Sequence, residues 1–195
     1  MKKKALLFVG VLIVVQLAGV YSAQAYVLLS PRRTWASAPV TVPVNTAGHK
    51  SISDGSGGVS RVASAIGVWQ AANGSTTTRT AVRGDGVPTI TLNNNGKVCN
   101  GTCLAATLIG YYSGNTINDA DVYTNQRYNF TSQGEADGCS GEFYIEGIMV
   151  HEVGHAIGIG HSNVAGSTMY PSVGYCDNGP ASLHSDDQAA ENDLY

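Results

Sequence analysis

The sequence predicts a single α+β domain. Three observations carry this: strand-like segments dominate from residue 40 to residue 124, one helix with an apolar 3.6-residue period interrupts them, and two further helical segments close the chain. About 170 residues remain once an N-terminal leader is set aside, enough for one substantial core.

The leader is residues 1–25. Lys2, Lys3 and Lys4 precede an apolar run over residues 5–20, and Ala23-Gln24-Ala25 forms a small-residue cleavage site. The apolar run is shorter than the roughly 20 residues that span a bilayer, so removal rather than anchoring is expected. The mature chain then begins at Tyr26 and the domain occupies residues 26–195. Three lysines and no acids leave with the leader, taking the formal charge from −3 to −6 and disfavouring nucleic acid as a partner. Low charge with abundant Gly, Ser, Thr and Asn suits an exported, loop-rich protein. A secreted or extracellular monomer is expected, with the periplasm as the alternative compartment and no stable membrane association.

Taken in order, Val40–Asn45 alternates apolar and polar residues around Pro43 and predicts an opening strand. Val59, Val62, Ala63, Ile66 and Trp69 recur at helical spacing, predicting an amphipathic helix over residues 58–72. Residues 78–83, 88–92 and 104–112 are β-like, and residues 117–124 alternate again. Ser140 suits an N-cap, with Glu142 in the first turn, for a helix over residues 141–157. A last helix starts near Leu183-His184-Ser185-Asp186-Asp187 and ends near Tyr195.

The helix at 141–157 carries the chemistry, in the run His151-Glu152-Val153-Gly154-His155-Ala156-Ile157-Gly158-Ile159-Gly160-His161. Helical residues four apart share a face, so His151 and His155 can offer ring nitrogens to one ion about 2.0–2.1 Å away, with Glu152 in the same arc. A straight helix could not bring His161 to that ion. Gly158 supplies the position where the chain can leave helical geometry, by a positive φ if needed.

Three protein ligands leave one position of a zinc ion open for water, whose pKa the metal lowers to about 7. Glu152 is then the natural general base, taking the proton as the oxygen attacks a polarised carbonyl and passing it to the leaving amine. The expectation is one catalytic Zn2+ and hydrolysis of internal peptide bonds, with protein or peptide substrates. A module that retains zinc without turnover is the competing reading. Glu152 argues against it, because a mere binder has no need of a base beside an open metal position.

Four cysteines in an exported chain point to disulfides. Three pairings are open; Cys99 and Cys103 lie in one short Asn/Gly-rich loop that they can close, which leaves Cys139 with Cys176.

The histidine run resembles the zinc-binding consensus of the metzincin metallopeptidases, and Ser162 after the third histidine resembles the matrixin, or matrix metalloproteinase, branch. Ser167-Thr168-Met169-Tyr170-Pro171 resembles the matrixin Met-turn, and Pro171 stands where branches with a tyrosine ligand place that tyrosine. The resemblance implies the zincin-like metzincin fold: a twisted mixed sheet with two main helices and a small C-terminal lobe ending in a third. It implies that Met169 floors the histidines without binding metal. Asp119-Ala120-Asp121-Val122 resembles the edge strand along which matrixin substrates lie, so Ala120, Asp121 and Val122 are candidate substrate contacts. Pro171 and Val173 are others, in a loop over residues 171–183 resembling the one that shapes the main side-chain pocket, where an apolar residue is expected. Asp119 and Asp121 are read first as a solvated edge, with Ca2+ binding as the alternative. Asp186 and Asp187 resemble the paired aspartates that brace the Met-turn. The chain departs from animal matrixins in two respects: no cysteine sits in a propeptide switch, and only His49 and His184 lie outside the motif, so a second, structural zinc is not expected.

Overall fold

Val42 and Val44, two positions apart on one strand, share a face and are both fully buried. The computed structural model that shows this describes residues 26–94, 103–111, 114–133 and 138–195. The strand is β2 (Val40–Asn45), in a sheet with β1 (Thr34–Trp35), β3 (Ala72–Thr77), β4 (Ile90–Asn94), β5 (Ala105–Tyr111) and β6 (Thr116–Asn125). The strands run in the order β3-β2-β4-β6-β5, and β1 pairs the first residues of β6. All pairings are parallel except that of β5 with β6. A separate parallel pair joins β7 (Phe130–Thr131) to β8 (Phe143–Tyr144).

Two helices supply the other half of the core. From α1 (Val59–Ala65) and the 3-10 turn Ile66–Val68 come Val59, Val62 and Ile66; from α2 (Ile145–Ala156) come Ile145, Met149, Val150 and Val153. These meet Val42, Val44, Ile90, Leu92 and Val122 of the sheet. Each such side chain contributes about 1.5–3 kcal/mol when fully buried. Trp69, 1% exposed, donates its indole N–H to the Val150 carbonyl at 2.9 Å and ties the turn after α1 to α2. A third helix, α3 (Ser185–Leu194), buries Ala190 and Leu194 against the same core.

Several sequence expectations are corrected. The helix over residues 58–72 ends at Ala65, and its last part is extended: Trp69 has β-region dihedrals and residues 72–77 form β3 beside β2. Gly74 allows this, since a Cβ there would overlap the Ala63 carbonyl of α1. Residues 78–83 are not a strand. Helix α2 begins at Ile145, not residue 141, because Phe143 and Tyr144 are held in β8; its N-cap is Tyr144 and the acidic residue of its first turn is Glu146, in place of Ser140 and Glu142.

The most consequential correction concerns β6. It is an interior strand, with β5 on one side and β4 and β1 on the other, so Asp119-Ala120-Asp121-Val122 is not an edge. All four residues are 1% exposed or less. The antiparallel edge strand is β5. Cys99 and residues 1–25, including the expected leader and its cleavage site, lie outside the described residues. Among the described residues no helix is long and apolar enough to cross a membrane.

Candidate metal centre and cleft

Helix α2 presents His151, Glu152 and His155, and the chain then turns at Gly158, whose φ is 106°. Two demands meet at this glycine: the left-handed backbone, and the lack of room for a Cβ, which would overlap the Arg33 carbonyl. The turn is secured by the first described residues. Leu29 N–H donates to the Gly158 carbonyl at 3.1 Å, Gly160 N–H to the Val27 carbonyl at 2.6 Å, and Leu28 bridges Ile159 antiparallel. The Trp35 indole adds a bond to the Ala156 carbonyl at 2.9 Å. So held, the chain returns His161 to the two helical histidines.

One ring nitrogen from each of His151, His155 and His161 lies within 4.8 Å of the others. The Nδ1 atoms of His151 and His155 sit 2.7 Å from the Thr168 carbonyl and 2.8 Å from the Ile159 carbonyl. A carbonyl only accepts, so both Nδ1 atoms carry the proton and Nε2 is the nitrogen free for a metal. Burial, reinforced by the neighbouring His155, pushes His151 down to about 3. Burial also lowers His155, and burial with His155 lowers His161. The neutral imidazoles this favours are the form that ligates metal, so the three residues fit a zinc ion with one position open.

Glu152, 6% exposed, lies at the same cleft. Burial pushes its carboxyl up to about 7, opposed by a hydrogen bond from Thr107. A dication beside it would favour the carboxylate. Thr107, on β5, places its hydroxyl 2.6 Å from Glu152 Oε2 and 2.9 Å from the Glu152 carbonyl. Sequence reading missed this residue; its only signal was a hydroxyl within a β-like apolar segment.

Met169 is fully buried against α2 at Gly154, where a Cβ would overlap the Met169 sulfur and come within 2.9 Å of Trp69. The turn carrying Met169 is gathered on Asp187, whose carboxylate accepts from Ser167 Oγ at 2.6 Å, Thr168 N–H at 2.8 Å, Met169 N–H at 3.1 Å and His184 N–H at 2.9 Å. Asp186 instead accepts from Ser162 Oγ at 2.6 Å, beside the third histidine.

These elements enclose a cleft of about 550 Å³. His151, Glu152 and His161 lie on it, with Leu104 and Ala105 at one side and Tyr128, Phe143 and Val173 forming an apolar wall. Of the substrate candidates, Pro171 and Val173 line this space; Ala120, Asp121 and Val122 do not, being enclosed in β6. Leu104 and Ala105 line it instead, where β5 borders the sheet among the described residues. Cys139 and Cys176 are joined by a disulfide with Cα atoms 5.7 Å apart, and Cys176 N–H donates to the Glu142 carbonyl at 2.8 Å. Together these pin the loop after the Met-turn to the segment preceding α2. Cys103 is also disulfide-bonded, and the Cys99 expected as its partner is outside the described residues.

Among known proteins, the family model described as Matrixin matches residues 61–195. No curated protein matches the chain at a significant level.

Proposed function

The chain belongs to the matrixin family, a family of zinc-dependent endopeptidases, and on that premise we propose that it is a secreted enzyme cutting internal peptide bonds with Glu152 as general base. The observation that supports this most directly is the convergence of three imidazoles beside one buried carboxylate at a single cleft.

His151, His155 and His161 would hold the zinc, which when bound supplies a Lewis acid for the substrate carbonyl and an acidified water. The residues of the chain do the rest. Glu152 receives the proton of the attacking water on Oε1, the oxygen that Thr107 does not engage. As the peptide C–N bond breaks, the same oxygen returns that proton to the leaving nitrogen. An extended peptide can add to the sheet along β5, which borders the sheet among the described residues, with Leu104 and Ala105 lining the cleft beside Glu152. Tyr128, Phe143 and Val173 favour an apolar side chain next to the cut, because that pocket gains by removing apolar surface from water, about 25 cal/mol per Å². Calcium enters the reading only at Asp119 and Asp121.

The test is purified protein lacking residues 1–25, assayed for metal content and for cleavage of a denatured protein. About one zinc per chain and loss of cleavage with chelator are expected. Glu152→Ala should keep the zinc and lower turnover by on the order of 10²–10⁴-fold. A variant as active as wild type would favour a zinc-binding module in which Glu152 has no chemical task.

A further inference from the structure

A glutamate acting as a base has three side-chain torsions to fix, and helix α2 fixes none beyond the first. Among the described residues, what holds the end of Glu152 is the Thr107 hydroxyl, 2.6 Å from Oε2. We propose that Thr107 is a positioning residue for the hydrolysis, locking Glu152 so that Oε2 is the anchored oxygen and Oε1 the working one. The inference rests on the reading of Glu152 as the base.

Three features of the site support the assignment. Thr107 lies on β5, paired through Val122 of the interior strand β6, so its backbone belongs to the sheet rather than to a loop. Its β-branched side chain has few χ1 states, which makes the hydroxyl a stiff anchor. The third feature is the second acceptor, the Glu152 carbonyl at 2.9 Å. A hydroxyl has one proton and cannot donate to both at once. The carboxylate is the stronger acceptor and takes the bond, while the nearby carbonyl keeps the hydroxyl seated on the same helical residue, so both contacts fix Glu152 relative to β5.

The role is separable from packing. Thr107→Val keeps the shape and removes the hydroxyl; Thr107→Ser keeps the hydroxyl and removes the methyl. With zinc-loaded protein on a fluorogenic peptide, Thr107→Val should lower kcat by on the order of 10–100-fold, as expected for losing a charge-assisted hydrogen bond, with KM within about twofold. Thr107→Ser should recover most of kcat. In a Glu152→Ala background, Thr107→Val should change nothing further, because the group it positions is gone.

If Glu152→Ala retains wild-type turnover, the general-base reading fails and this inference with it. If that variant is inactive while Thr107→Val matches wild type, only the Thr107 assignment fails. It also fails if Thr107→Ser does not recover kcat, or if the Thr107→Val loss persists without Glu152, since both outcomes indicate packing. Should Thr107→Val not fold, Thr107→Cys replaces it, and kcat must fall between those of the serine variant and Glu152→Ala.

Discussion

Two buried aspartates, Asp187 under the Met-turn and Asp121 in the sheet, are both 0% exposed and have opposite surroundings. Asp187 accepts four hydrogen bonds, three of them from backbone N–H groups. Asp121 has a long contact from the Tyr123 hydroxyl at 3.4 Å, and its Oδ1 has no partner; the Oδ1 of Asp119 is equally bare. The difference lies in the backbone each one meets. A turn leaves its N–H groups unpaired, so a carboxylate can collect them. An interior strand such as β6 spends its N–H groups on two neighbours, so its side chains draw on few donors: Asp119 Oδ2 takes the Gly84 N–H at 2.5 Å, and among the described residues Asp121 has Thr89 and Tyr123 alone. One carboxylate thus braces the site, and the other is held against its own charge: burial, with Asp119 and Asp85 adding, pushes Asp121 up to about 7.

The contrast is broken most severely at its satisfied end. Asp187→Ala strands three buried donors, with a fourth on exposed His184, and should cost at least ~3 kcal/mol, with zinc retention falling because Thr168, which orients His151, loses its anchor. Denaturant melts with metal analysis check this. A stable, zinc-replete variant would show that the brace is redundant.

A smaller effect of opposite sign is expected at the other end. Because the folded-state pKa of Asp121 is raised, its contribution is most favourable below about pH 4 and is lost as pH rises towards 7. Asp121→Asn should therefore stabilise the protein at pH 8 by about 1–3 kcal/mol and remove that slope. Repeating the melts with calcium separates two cases: an ion held at Asp119 and Asp121 would keep both ionised and erase the wild-type loss.

The smallest effect sharpens the comparison with a third buried group. His49, 2% exposed, is edge-on to Phe130, its Nε2 is unpartnered, and burial followed by Lys50 pushes it down to about 4. A lowered base is stabilising above its unfolded pKa of about 6.5 and loses that contribution as pH falls to 4. It thus opposes Asp121 over nearly the same window. In the Asp121→Asn protein the His49 slope should stand alone, as a loss of roughly 1–2 kcal/mol between pH 6.5 and pH 4. A flat profile there would remove His49 from the account.

The same distinction between local and paired backbone explains what the sequence disclosed. The histidine run was legible because its geometry is local: four residues make one helical turn, and Gly158 marks its own exit. Val40–Asn45 and α3 were legible for the same reason, through alternation and a charged helix start. Strand β3 was not, because Ala72–Thr77 has no apolar alternation and relies on Gly74 to slip beneath α1. Nor was the true edge strand. Residues 104–112 and 117–124 both read as strands, and which of them borders the cleft is decided by partners far away in sequence; aspartates at 119 and 121 misleadingly suggested water. Thr107 was hidden for the same reason, since its meaning comes from a helix 45 residues onward.

The turn at Gly158 joins distant parts of the chain as well as placing a ligand. Trp35 is bonded to Ala156 across 121 residues and to Tyr195 across 160. Closing a flexible loop of the first size costs roughly 4 kcal/mol of chain entropy, and no local contact can offset it in advance. That cost falls on the segment delivering His161, whose partners at Val27 and Leu29 leave the ribosome long before it does. The metal site thus joins contacts of two ranges: one helix brings His151 and His155 together, whereas the placing of His161 depends on the first residues of the domain.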